Sequence, residues 1–191
     1  MNDALQPLNL KEERRLQLLD AATELLAKRP TASLAEIAEH TRISKATLHR
    51  YFASRDALLT ALAVRALALV SAALADCRLS EGAAPAALRR LIEALIPLGD
   101  KFYFLLNEHL WNVHPDLVAA EQATEVPIMQ LIQRGQAEGS LRADLPVAWI
   151  MYTLEFTVFA AWQAIYDGNI ARRDAAHLVL ESLLGGIIAK A

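Results

Sequence analysis

The sequence predicts an all-α fold of about nine helices, and three observations predict it. Leu and Ala dominate a chain in which 54% of 191 residues are hydrophobic, while Gly and Pro number seven each. That composition favours helix and argues against disorder. Apolar residues recur at three- and four-residue spacing along most of the chain, and no stretch alternates as a half-buried strand would. The length is enough for a sizeable core in one large or two small domains.

The elements follow from these patterns. Residues 1–10 read as a flexible tail. A first helix over 11–28 carries Leu16, Leu19, Ala22 and Leu26 on one face; Lys28 and Arg29 suit its negative end and Pro30 stops it. Ser33 followed by Glu36 makes a capping box for a second, two-turn helix ending near residues 40–41. Ser44 caps a third over 45–52, where Leu48 and Phe52 bury together, and Ser54 caps a fourth over 55–76. Gly82 and Pro85 mark a loop over 78–85. Helices over 86–96 and 101–111 follow, with Pro97 and Gly99 ending the former. His114–Pro115 marks a turn. Residues 116–138 read as helix kinked or broken at Pro127, 139–146 as a loop, and 147–166 and 174–189 as the last two helices. The domains expected are 11–57 and 58–191.

Charge singles out the first of them. The net charge of −3 divides into +1 over residues 1–60 and −4 over the rest. Between Glu39 and Asp56 lie Arg42, Lys45, Arg50 and Arg55 with His40 and His49, and no acid. Two short helices joined by a tight turn, the second positive, suit a helix placed on DNA; a local basic footprint suffices for that.

The stretch LLDAATELLAKRP followed by SLAEIAEHTRISKATLHRYFASRDALLTAL resembles the N-terminal domain of the TetR family of transcriptional regulators. The resemblance covers residues 14–62 and rests on Glu36-Ile37-Ala38, Ser44-Lys45, Thr47-Leu48, Arg50-Tyr51-Phe52 and Leu58-Leu59. It implies a homodimeric repressor on a palindromic double-stranded DNA operator, released by a small-molecule effector; a cytoplasmic location is expected from the lone cysteine and the missing signal pattern. By position, Ser33 would touch phosphate and Lys45, Ala46 and Thr47 would sit nearest base edges. Ser44 would cap and reach DNA, His49, Arg50 and Tyr51 would hold phosphate or reach bases, and Arg42 and Arg55 would hold the backbone. Two positions depart from the family's pattern: Arg42 stands where Gly is usual in the turn, and His49 where Tyr is common.

The body is expected to hold the effector and the dimer interface. Aromatic residues concentrate over 100–166 with polar groups among them, the composition of a small-molecule pocket. The pocket expected comprises Phe104, Glu108, Trp111, Tyr152, Glu155, Phe156 and Phe159. Glu155 is the most telling, a carboxylate inside an apolar run that needs a partner, a ligand or an exposed position. Leu154, Val158, Trp162, Leu183, Leu184 and Ile187 are expected to form the interface, with Gly185-Gly186 permitting close approach. Two such helices per subunit would set two heads on half-sites roughly 34–36 Å apart.

Other classes find less support. No nucleophile elbow, phosphate loop or paired metal-ligand motif is present, so neither an enzyme nor a cofactor is expected. Glu108, His109 and His114 fit no standard helical metal pair. No uninterrupted apolar run reaches the roughly 18 residues of a membrane span, the N-terminus lacks a signal pattern, and Cys77 has no second cysteine to bridge. The remaining alternative is a helix-turn-helix protein whose aromatics are structural and whose signal comes from a protein partner or not at all.

Overall fold

The computed structural model describes residues 10–107 and 115–188. Among them are α1 (Leu10–Lys28), α2 (Leu34–His40), α3 (Lys45–Tyr51), α4 (Arg55–Asp76), α5 (Ala84–Leu95), the single turn α6 (Gly99–Phe102), α7 (Pro115–Ala137), α8 (Val147–Tyr166) and α9 (Arg172–Ile187). Two 3-10 segments, Ile96–Leu98 and Tyr103–Asn107, flank α6. The only pairing of strand type among these residues is an isolated bridge between Leu141 and Ile188. The fold is all-α.

The chain divides into two compact units, Met1–Ala63 and Val64–Ala191. The division falls six residues beyond the one expected at 57/58, because Leu58, Leu59, Leu62 and Ala63 of α4 are buried with the head's own residues. In the first unit Leu18, Leu19, Ala22 and Leu26 of α1 pack with Ile37 and Ala38 of α2, Leu48 of α3 and Phe52. Arg15 lies over the Phe52 ring at 5.5 Å and closes this core from outside. In the second unit α5 is central. Leu88, Leu91 and Ile92 are fully buried, and α5 packs on α7 and α9 while α8 packs on α7 and α9.

Three prolines bear on the helix boundaries. Pro85 lies in the first turn of α5, where its missing N–H is not needed, so it starts the helix instead of closing the loop. Pro97 lies in the 3-10 turn Ile96–Leu98 that follows the end of α5 at Leu95, where a stop was expected. Pro127 lies inside α7, which runs unbroken from Pro115 to Ala137 and so forgoes one ladder bond there. Two arginines fix the α4–α5 loop. Arg90 donates to the carbonyl oxygens of Cys77 (2.8 Å), Arg78 (3.0 Å) and Glu81 (2.8 Å), and Arg134 to those of Leu79 (2.8 Å) and Gly82 (2.7 Å).

By length and composition α4 is apolar enough to cross a membrane, a property hidden in the sequence by Arg65, which interrupts its apolar run. A third of that stretch is buried within the protein.

Candidate nucleic-acid interface and effector cavity

The head's helices begin where their serines place them. Ser33 and Glu36 form the full capping box: the Ser33 hydroxyl accepts from the Glu36 amide (3.3 Å) while the Glu36 carboxylate accepts from the Ser33 amide (2.8 Å) and hydroxyl (2.8 Å). These bonds, the Ser33 amide's first, hold the Glu36 carboxyl below its usual range. Arg29 pairs with the same carboxylate. Ser33 is therefore committed to the cap, and a phosphate there would have to displace Glu36.

Ser44 caps α3 by accepting from the Thr47 amide (3.1 Å), and the two hydroxyls lie 2.9 Å apart. Leu48 and Phe52 are buried. Ser44, Lys45, Ala46, His49 and Arg50 are exposed, and Thr47 and Tyr51 half-exposed. The face turned to solvent is thus the cationic one, with small Ala46 allowing close approach of a groove wall.

The turn between α2 and α3 holds Arg42 at φ 55°. The Ile43 amide donates to the Ala38 carbonyl (3.0 Å) and the Arg42 amide to Glu39 (3.0 Å), a Schellman closure whose left-handed position is normally glycine. Arg42 accepts that strain and stays exposed. Arg42→Gly is expected to stabilise the fold by about 1 kcal/mol. It should also weaken DNA binding if the guanidinium holds phosphate; thermal melts and a DNA titration read the two separately.

Arg55 is drawn inward. It donates to the carbonyls of Pro30 (2.8 Å) and Ala32 (3.4 Å), so it clamps the start of α4 to the α1–α2 loop instead of presenting itself to a DNA backbone. Lys11 and Arg15, which the sequence reading passed over, line a cleft of about 300 Å³ with Glu12, Arg50 and Tyr51. Glu12 and Glu13 between them dilute their charge in the sequence; the structure gathers the bases.

In the second unit a cavity of about 400 Å³ lies among α4 (Ala66, Leu67, Val70), α5 (Leu95), Leu98, α6 (Phe102), Leu105, α7 (Glu121, Thr124, Glu125, Ile128) and α8 (Met151, Leu154, Glu155, Phe156, Val158, Phe159, Trp162). Glu155, Phe156 and Phe159 line it. Phe104 does not: Phe102 and Leu105, three apart, share the cavity side, and Phe104 between them is buried off it. Tyr152 does not line it either; it is 56% exposed on the outer stripe of α8. Glu108 and Trp111, with His109 and His114, lie outside the described residues.

Glu121, Thr124 and Glu125 were missed, although two acids four apart on a helix share a face. The carboxyl oxygens of Glu121, Glu125 and Glu155 lie within 4.8 Å of one another. Burial first, and then the charges of Glu125 and Glu121, push the Glu155 carboxyl up to about 7. Burial and Glu125 raise Glu121 as well.

The six residues expected at a dimer interface are instead core. Leu154, Val158, Trp162, Leu183, Leu184 and Ile187 are at most 9% exposed within one chain. Both helices have two apolar faces, and periodicity does not say which of them the chain covers itself. The outer faces carry Trp149 and Tyr152 on α8 and Leu178 on α9, exposed by 60, 56 and 44%, while Phe156, 67% exposed, stands at the open side of the cavity.

A capped, cationic third helix on a three-helix head, joined through α4 to a helical body with an apolar cavity, defines a helix-turn-helix DNA-binding regulator. Residues 18–62 match the family of bacterial regulatory proteins, tetR family. Over 178 residues, 93% of this chain and 92% of the relative, the sequence is 32% identical to the HTH-type transcriptional repressor LfrR of Mycolicibacterium smegmatis. It is 27% identical over 176 residues to the HTH-type transcriptional regulator NfxB of Pseudomonas aeruginosa, covering 89% of this chain and 92% of that one. The crystal structure of LfrR in complex with proflavine matches with a TM-score of 0.79 at 30% identity, over 95% of this chain and 100% of that one. The chain belongs to the TetR family of transcriptional regulators.

Proposed function

We propose that this protein is a cytoplasmic homodimeric repressor that holds a palindromic operator through the exposed face of α3 and releases it when a small apolar or aromatic molecule fills the body cavity. The observation that carries the effector reading is the cavity itself, about 400 Å³ and walled by Phe102, Phe156, Phe159 and Trp162, within the usual size of a small-molecule site. The proflavine complex of LfrR supports it. Lys45, Ala46 and Thr47 read bases. His49, Arg50, Tyr51 and Arg42 hold phosphate, with Lys11 and Arg15 beside them.

The exposed stripe of α8, with Leu178 and the open glycines of α9, is the face a second copy covers. A Cβ at Gly185 or Gly186 would meet nothing within 4 Å inside the chain, so those positions are free for close approach by a partner helix. Because α4 supplies Leu58, Leu59 and Leu62 to the head and Ala66, Leu67 and Val70 to the cavity wall, an occupant displacing α4 changes the spacing of paired heads.

The test is fluorescence anisotropy on an operator selected from random duplexes. Two half-sites roughly one helical turn apart are expected. Lys45→Ala should weaken binding severalfold or more, and a saturating cavity ligand should weaken it by about 5- to 150-fold. Tyr152→Asp should yield monomers in sedimentation and abolish operator binding. A ligand that saturates the cavity and leaves operator affinity unchanged would refute the effector reading.

A further inference from the structure

The cavity contains more negative charge than an apolar effector explains. Glu121 and Glu125 on α7 and Glu155 on α8 bring three carboxyl groups within 4.8 Å, and no Lys, Arg or His is among the described residues lining the cavity. From α4 it is faced by Ala66, Leu67 and Val70, and from the α5–α6 region by Leu95, Leu98, Phe102 and Leu105, none of them titratable. Thr124 offers no countercharge; its hydroxyl donates to the Glu121 carbonyl (2.7 Å). A neutral occupant would strip water from these carboxyls and return nothing to them.

We propose that the effector is a flat lipophilic cation, its positive charge held among Glu121, Glu125 and Glu155 and its rings laid against Phe156, Phe159 and Trp162. The inference rests on the reading of the cavity as the effector site and specifies its ligand. Two features of the wall favour an organic cation over a metal ion. Hard divalent ions gather six or more oxygens, whereas the wall beyond the three carboxyls is almost wholly apolar. The aromatic rings offer the negative faces that a delocalised cation prefers.

A proton follows from the same geometry. The Glu155 carboxyl, raised to about 7, is substantially protonated at neutral pH while the cavity is empty. A cation among the three groups favours the ionised form, so its binding at pH 7 expels a proton to solvent.

The test pairs two probes of nearly equal shape, N-methylacridinium, a permanent cation, and acridine, uncharged at pH 8. Calorimetric titration of the full-length protein at pH 8 should show the acridinium binding at least about tenfold more tightly. Replacing all three glutamates, E121Q with E125Q and E155Q, should remove that advantage while acridine still binds. Repeating the acridinium titration at pH 7 in two buffers of different ionisation heat should reveal proton release, lost in Glu155→Gln. Melting curves confirm that the variants fold.

Equal affinity of the two probes, or a preference surviving in the triple variant, would overturn the cationic assignment and leave the cavity as an effector site. Calcium or magnesium binding tightly alone and excluding the acridinium would overturn it in favour of a metal centre. Binding of neither probe, nor of proflavine, would remove the effector reading together with this one.

Discussion

Glu155→Gln is expected to raise the stability of the protein at pH 8 by about 1–3 kcal/mol and to change it little at pH 4. The direction follows from linkage. Burial, reinforced by Glu125 and Glu121, lifts the folded carboxyl to about 7, whereas in the unfolded chain it titrates near the usual Glu value of about 4.3. Below that value both states carry the proton and the site contributes no penalty. As pH rises from there the unfolded chain releases its proton first, and folding becomes progressively less favourable. The penalty is complete once the folded group has also ionised, above about 7. The lower part of the range allows for water reaching a group that is not fully buried. Gln keeps the shape and removes the titration. Thermal melts of both proteins across pH 4–8 give the answer: parallel curves would mean that the carboxyl is solvated and ordinary.

Gly99→Ala should destabilise the body by about 2–3 kcal/mol, although alanine is the better helix former by about 1 kcal/mol. A Cβ at this position would stand 2.1 Å from Cδ1, 2.3 Å from Cγ and 2.4 Å from Nε1 of Trp162. The indole is 8% exposed, stacks near Phe159 with centroids 5.4 Å apart, and donates to the Ile96 carbonyl at 3.1 Å. Making room for the methyl means moving the indole, which breaks that hydrogen bond. Trp162 also lines the cavity, so the same substitution should reduce effector affinity. Gly185→Ala is the contrast, since nothing lies within 4 Å of its added methyl; it should stabilise an isolated subunit and impair pairing if a partner helix passes there. A denaturant titration of Gly99→Ala with an unchanged midpoint would mean that Trp162 has another place to go.

Local chemistry made the head legible. Ser33, Ser44 and Ser54 set helix starts through bonds to amides three residues on, so their effects are written in nearby letters. The i, i+4 spacing of Leu48 and Phe52 identifies the hidden face, and the exposed bases of α3 follow from it. The structural bonds of Arg55 were not legible, for the opposite reason. Its partners, the carbonyls of Pro30 and Ala32, lie more than twenty residues away, and no local pattern distinguishes a guanidinium that clamps a loop from one offered to phosphate.

The body was legible as helices and not as surfaces. Residues 147–166 announce a helix through composition alone, and α8 has those bounds. Leu154, Val158 and Trp162 nevertheless belong to the subunit's core, while Trp149 and Tyr152 face outward and Phe156 stands at the cavity's open side. A helix apolar all round carries no internal sign of which face its own chain will cover. Composition alone assigns Phe104 to the cavity; it follows Phe102 by two residues and lies off the face that Phe102 and Leu105 share, under either helical period.

By itself, then, the sequence determined an all-helical chain with a capped, basic helix-turn-helix, because caps, periodicity and local charge act over one turn of helix. The tertiary structure alone decided that Arg55 is a clamp and that Gly99 must remain without a side chain. It also decided that Glu155 meets Glu121 and Glu125. Each of these depends on groups distant in sequence being brought within a few ångströms, and in that proximity the Glu155 carboxyl is lifted out of the ordinary carboxylate range.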